Sequence, residues 1–290
     1  MTQIFFIIFL LILGYLLKFC KMPQNFAQSL NGFVIFVSLP ATILLQIPKI
    51  KLDTSLILPA IIPWFVAFLS VVLTLIVFKN IPKNTKAALL LLLPLGNTSF
   101  FGFPILEATI GQEAIKYAII YDQFGTFLIL AIYGSFVIAF FEGKSVKPRD
   151  IVKKITLFPP FIFLILAFLI PISQDFSPYL ETLSKTLVPL ALISVGFSMQ
   201  LSLGDEKMIF AKALGLKLFV IPFVIYSMLL LFGLHDLSAK TILLESAMPP
   251  MITAGALAIS AGFAPRLSAA LVGYGILFGI VSVLFFDFIF

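Results

Sequence analysis

The chain is a succession of apolar runs, most of them about twenty residues long, separated by short polar turns. A helix needs about 20 apolar residues to cross a hydrocarbon core. Within lipid only helices and closed barrels satisfy every backbone polar group. The runs therefore predict membrane-crossing helices. Composition agrees: 61% of the residues are hydrophobic and 11% charged, against about half and about a quarter in soluble domains. A soluble core of 290 residues could not hide that much apolar surface. By the length rule about ten spans are expected, at roughly 3–19, 26–47, 56–78, 86–108, 114–141, 152–172, 179–203, 208–232, 238–261 and 266–289. Met1-Thr-Gln, followed by apolar residues, lacks the basic flank of a secretion signal and reads as the start of the first span.

The one sizeable hydrophilic connection, Glu142–Lys154, divides the chain into a first five-helix repeat (1–141), a linker (142–150) and a second repeat (151–290). Thirteen Lys and Arg residues lie in or beside the loops that follow odd-numbered spans, and five lie on the other side. The excess of positive charge in cytoplasmic loops puts Glu142–Lys154 in the cytoplasm and both termini outside. The net charge of +6 comes from these scattered residues, so no basic stripe for nucleic acid exists. Setting residue i against i+154 pairs Lys86 with Lys240, Leu89-Leu90 with Leu243-Leu244, and Phe124-Gly125 with Phe278-Gly279. An odd number of spans per half makes the second half enter the membrane from the opposite side. The repeats are then inverted, as in several secondary transporters.

Two spans carry interruptions. The stretch Leu93–Pro104 reads Leu-Pro-Leu-Gly-Asn-Thr-Ser-Phe-Phe-Gly-Phe-Pro, and the later one reads Ala247-Met248-Pro249-Pro250-Met251. Pro94, Pro104, Pro249 and Pro250 each lack a backbone N–H and clash with the preceding turn. Gly96, Gly102 and Gly255 allow close approach. Asn97, Thr98, Ser99 and Thr253 add polar side chains beside the breaks. Interrupted helices in corresponding halves point to a transporter's binding site, because half-helix N-termini offer unpaired N–H groups and partial positive charge. The plainer alternative is that the prolines only kink packed helices.

Asp122, followed by Gln123, and Glu245 lie inside predicted spans, where carboxylates are costly. They are candidates for holding a coupling proton or ion. Lys217, inside the eighth span, reads as snorkelling towards the cytoplasmic side. Pro40 and Pro189 read as kinks, with Ser38, Thr42, Gln46, Ser194, Ser198 and Gln200 available to line a cavity. Gly275-x-x-x-Gly279 matches a close-packing pattern of low specificity. Cys20 and His235 are the sole cysteine and histidine, which excludes a Cys/His metal cluster. No phosphate-binding loop is present, so the chain carries no ATPase of its own.

Gly96-Asn-Thr-Ser-Phe-Phe-Gly-Phe-Pro104, then Gly111 and Asp122, together with Ala247-Met248-Pro249 and Pro189–Gln200, resemble the auxin efflux carrier family over essentially the whole chain. The short middle loop suits its bacterial permeases, of malate/malonate-transporter type. The resemblance implies ten helices in a bile-acid-symporter-like fold, with broken helices 4 and 9 crossing. It implies a scaffold of spans 1, 2, 6 and 7 beside a transport domain of spans 3–5 and 8–10. The expected function is secondary transport of a small organic anion across the plasma (inner) membrane by an elevator movement, without enzymatic activity or a bound cofactor. Asn97, Thr98, Ser99, Gln123, Met251 and Thr253 would bind the substrate. Coupling to H+ or Na+ stays open, and a homodimer through the scaffold is implied by resemblance alone. Plant carriers have an Asn after the second crossover proline, whereas Pro250 and Met251 stand here. The rival readings are a channel or sensor on the same fold, and a membrane-embedded enzyme, for which no clustered Asp, His or Arg appears.

Overall fold

The computed structural model describes residues 2–49, 54–170, 173–201 and 206–290. Met1, Lys51 and the ends of the sixth and seventh predicted spans, at 171–172 and 202–203, lie outside these. In chain order the helices are α1 (Thr2–Leu17), α2 (Phe26–Gln46), α3 (Thr54–Val77), α4 (Lys83–Leu92) and α5 (Phe103–Thr109). They continue with α6 (Gln112–Glu142), α7 (Pro148–Thr156), α8 (Pro159–Leu169) and α9 (Ser177–Ser198). The last four are α10 (Lys207–Leu231), α11 (Leu237–Ser246), α12 (Ile252–Ser260) and α13 (Pro265–Ile289). Among the described residues the only β pairing is a single isolated bridge.

Among the described residues six helices, α2, α3, α6, α9, α10 and α13, are each long and apolar enough to cross a membrane. The pair α7 and α8, bent by 61°, makes a seventh if taken together. Phe5, Phe68, Phe140, Leu231 and Phe288 are exposed, a pattern that a soluble monomer avoids and a lipid-facing surface requires. The chain is thus a multi-pass membrane protein. One expectation is corrected: the predicted sixth span, from 152, is not one helix. Pro159 and Pro160 begin α8, and neither has an N–H to continue the preceding helix. The residues before them form α7, which carries Arg149, Lys153 and Lys154 and buries no residue. The repeat boundary expected at 150/151 therefore falls inside α7.

Helix α1 lies against α9 at very close range. A Cβ on Gly14 would stand 2.2 Å from the Ile193 carbonyl oxygen, and one on Gly196 would stand 2.1 Å from that of Leu11. Helices α1, α2, α8 and α9 pack on one another, and α3, α4, α6 and α10–α13 form a second set. Within the second set α3 crosses α6 where Gly125 faces Pro63, with the Trp64 indole N–H donating to the Phe124 carbonyl at 2.9 Å.

Prolines free carbonyls that lipid cannot solvate, and side chains from neighbouring helices answer them. Pro94 has no N–H for Leu90, and the Tyr133 hydroxyl donates to the Leu90 carbonyl at 2.7 Å. Pro222 does the same to Leu218, whose carbonyl accepts from the Ser282 hydroxyl. Tyr133→Phe should therefore strand a carbonyl at the first break. The expected cost is about 1–3 kcal/mol, read as a lower melting midpoint of the purified protein. A midpoint equal to wild type would show that the hydroxyl is dispensable there.

Candidate functional site

Both interruptions are real breaks. Helix α4 stops at Leu92, and residues 93–97 are non-helical. A π-helical turn, Thr98–Gly102, then leads into α5. Helix α11 stops at Ser246, and α12 starts at Ile252. The two breaks cross as an antiparallel bridge between Gly96 and Pro250. The Asn97 N–H donates to the Pro249 carbonyl at 2.8 Å, and the Met251 N–H donates to the Leu95 carbonyl at 2.9 Å. Gly96 and Pro250 are partners under the i/i+154 pairing, and that same pairing exchanges these two hydrogen bonds. The two hydrogen bonds of the bridge are thus related by a local two-fold. Main-chain groups left without helical partners at the two breaks are satisfied by each other, away from lipid.

Glycines make the crossing possible. A Cβ on Gly275 would come within 2.9 Å of Pro250 Cδ, and one on Gly279 within 3.0 Å of Pro249 Cδ. The Gly275-x-x-x-Gly279 pattern in α13 is therefore the seat of the second break. Both half-helices that leave the crossing, at Thr98 and at Ile252, begin without a side-chain cap. Their first N–H groups have no intrahelical partner.

The polar side chains around the crossing are deeply buried: Asn97 and Thr98 at 1% exposure, Gln123 at 0% and Asp122 at 3%. Asp122 accepts from Thr98 Oγ1 at 2.5 Å and from Gln123 Nε2 at 2.6 Å, and Ser99 faces the same carboxylate. Asp122 thereby ties α6 to the turn after the first break. Asn97 Nδ2 and Gln123 Oε1 are buried without hydrogen-bond partners. Met251 is buried beside them in sequence register, while Thr253 is exposed. Thr253 lies two residues past Met251 on a helix, which turns its side chain away from the crossing, so it does not join this cluster.

Glu245 is buried inside the bundle, as its place in a predicted span implied, whereas Lys217 differs from its expected position. Glu245 is 1% exposed and lies beside the first break. Its carboxylate covers Gly102, where a Cβ would meet Oε2 at 2.8 Å, and neither oxygen has a hydrogen-bond partner. Lys217 does not snorkel: it is 1% exposed, and its Nζ would lie 3.5 Å from a Cβ on Gly96. The sequence offered one hint, a lysine ten residues into an apolar run. The glycine that would receive it lies 121 residues away.

A cavity of about 590 Å³ opens between α1, α2 and α9 on one side and α5 with the start of α6 on the other. Thr42, Gln46, Ser184 and Pro189 line one wall. Phe103, Pro104 and Glu107, from the half-helix after the first break, line the other. Ser38 and Ser194 are instead engaged in packing, with Thr186 at 2.7 Å and Asn31 at 2.5 Å. Ser198 and Gln200 are not part of the cavity wall.

A multi-pass helical protein with a buried crossing of two broken helices belongs among membrane transporters. The family follows from comparison: the profile of the membrane transport protein family matches residues 1–287, and the chain belongs to that family, the one containing the auxin efflux carriers. An uncharacterised transporter of Methanocaldococcus jannaschii is similar, with 29% identity over 86% of this chain and 85% of its own length. Another from Methanothermobacter thermautotrophicus is 25% identical over 87% of this chain and 86% of its own length.

Proposed function

We propose that the protein is a secondary transporter of a small organic anion, bound at the crossing of the two broken helices. The observation that carries this reading is the meeting of two uncapped half-helix N-termini beside Asn97, whose buried Nδ2 donor has no partner. Such ends attract carboxylates through their free N–H groups and partial positive charge. The proposed ligands are Asn97, Thr98, Ser99, Gln123 and the backbone at Met251.

The ten-span inverted repeat, with α4–α5 and α11–α12 each counted as one broken span, is part of the same proposal. The set α1, α2, α8 and α9 would be the scaffold, and the other set would move past it as an elevator. The local two-fold hydrogen bonding and the separate packing of the sets support that division. The cavity between them is the proposed access route from outside. Its wall carries Glu107 and Glu181 together with Lys185, an excess of one carboxylate that supports, as a second reading, a solute that also carries a cationic group.

A binding screen tests the proposal. A ligand held only by folded protein raises its melting midpoint. At a hundredfold excess over its dissociation constant the gain is about 2.7 kcal/mol. Malate, malonate, pyruvate, indole-3-acetate and an amino acid are compared with chloride at equal ionic strength. Stabilisation by a carboxylate, lost in Asn97→Ala, is the expected result. Stabilisation that persists in Asn97→Ala would remove the crossing from the binding site.

A further inference from the structure

Three ionisable side chains from three helices meet around the first break: Asp122 from α6, Lys217 from α10 and Glu245 from α11, all at 3% exposure or less. Asp122 is satisfied by Thr98 and Gln123. Glu245 has no hydrogen bond, and no carboxylate among the described residues lies within ion-pair distance of Lys217. Glu245 nevertheless stands within electrostatic reach of both Asp122 and Lys217, and Tyr121 is the remaining titratable group facing it. Lys217 Nζ and the Glu245 carboxylate lie over Gly96 and Gly102, at either end of the same seven-residue segment. Uncompensated charge at such depth is costly. An ammonium placed there supplies what a bound monovalent cation would supply, but on a covalent tether.

We propose that Lys217 is a fixed internal cation of the crossing, balancing Glu245 and Asp122 and making the protein indifferent to sodium. This deepens the transporter reading, on which its relevance to transport rests. Without Lys217 the remaining donors, the Glu245 and Asp122 carboxylates and Gln123 Oε1, are all oxygens, which suit a hard cation. Removing the ammonium should therefore turn a sodium-blind protein into a sodium-responsive one.

The test needs no substrate, so its failure is separable from failure of the transport reading. Wild type, Lys217→Met, Glu245→Gln and the double variant are purified, and their melting midpoints are compared in sodium chloride and choline chloride. Wild type should melt alike in both salts. Lys217→Met should fall by about 10 °C in choline and recover by about 3–5 °C in sodium. The double variant, with neither charge, should melt above Lys217→Met and ignore sodium. A double variant that folds where Lys217→Met does not would support the pairing equally well. A wild type stabilised by sodium, a Lys217→Met protein blind to it, or a double variant no better than Lys217→Met would each overturn the proposal.

Discussion

Asn97→Ala is expected to lower saturable uptake about 10- to 100-fold while leaving the yield of folded, membrane-inserted protein unchanged. Loss of one hydrogen bond to a charged ligand costs about 1.5–3 kcal/mol, and each 1.4 kcal/mol is about tenfold in affinity. The second half of the expectation follows from how the crossing is held. The Asn97 main chain joins the breaks through its N–H to the Pro249 carbonyl, and its own carbonyl accepts from Gly102 at 2.9 Å within the turn that follows. Alanine keeps both. The side-chain Nδ2, by contrast, is buried with no partner. Removing an unsatisfied donor takes nothing from the folded state. Measured uptake per folded molecule checks this. Loss of folded protein in Asn97→Ala would make the side chain structural, and unchanged uptake would exclude it as a ligand.

The largest effect on stability is expected at Gly196. Its Cβ position is 2.1 Å from the Leu11 carbonyl oxygen, with a backbone atom rather than a flexible side chain in the way. Gly196→Val must therefore push α1 off α9, and Gly14, facing Ile193 from the other side, fixes the same contact. Overpacking a tight contact costs about 1–3 kcal/mol and occasionally more, and two backbones in van der Waals contact put this site at the upper end. The melting midpoint should drop by about 10 °C, with a parallel loss in Gly14→Val. Gly215→Ala is the control: a Cβ there meets nothing within 4 Å, and alanine in a helix is neutral to slightly stabilising. A Gly196→Val protein that melts like Gly215→Ala would show that α1 and α9 are not so closely apposed.

Legibility in the sequence followed the locality of the cause. Pro94, Pro104, Pro249 and Pro250 act on their own turns, so both breaks could be read directly, whereas the contact of Gly96 with Pro250 needed the fold. Asp122 could be flagged because a carboxylate in an apolar run is costly wherever it points. What it binds, Thr98 and Gln123, needed the fold. Lys217 was misjudged for one reason. Whether a side chain leaves or enters the bundle depends on helix rotation, and an apolar helix such as α10 has no polar face to fix it. Gly14 and Gly196 were illegible for another: a glycine's partner backbone is named nowhere near it in the chain. The bend before α8 was written in Pro159-Pro160, but the apolar count across 152–172 masked it.

Uptake of radiolabelled organic acids into liposomes containing the purified protein tests the central claim most directly. Malate, malonate, pyruvate and indole-3-acetate are offered with an imposed proton gradient, with a sodium gradient, and with neither. Saturable uptake of one acid is predicted, unaffected by sodium and reduced at least about tenfold in Asn97→Ala. Uptake of none of these acids by folded protein, or uptake undiminished in Asn97→Ala, would contradict an anion site at the crossing.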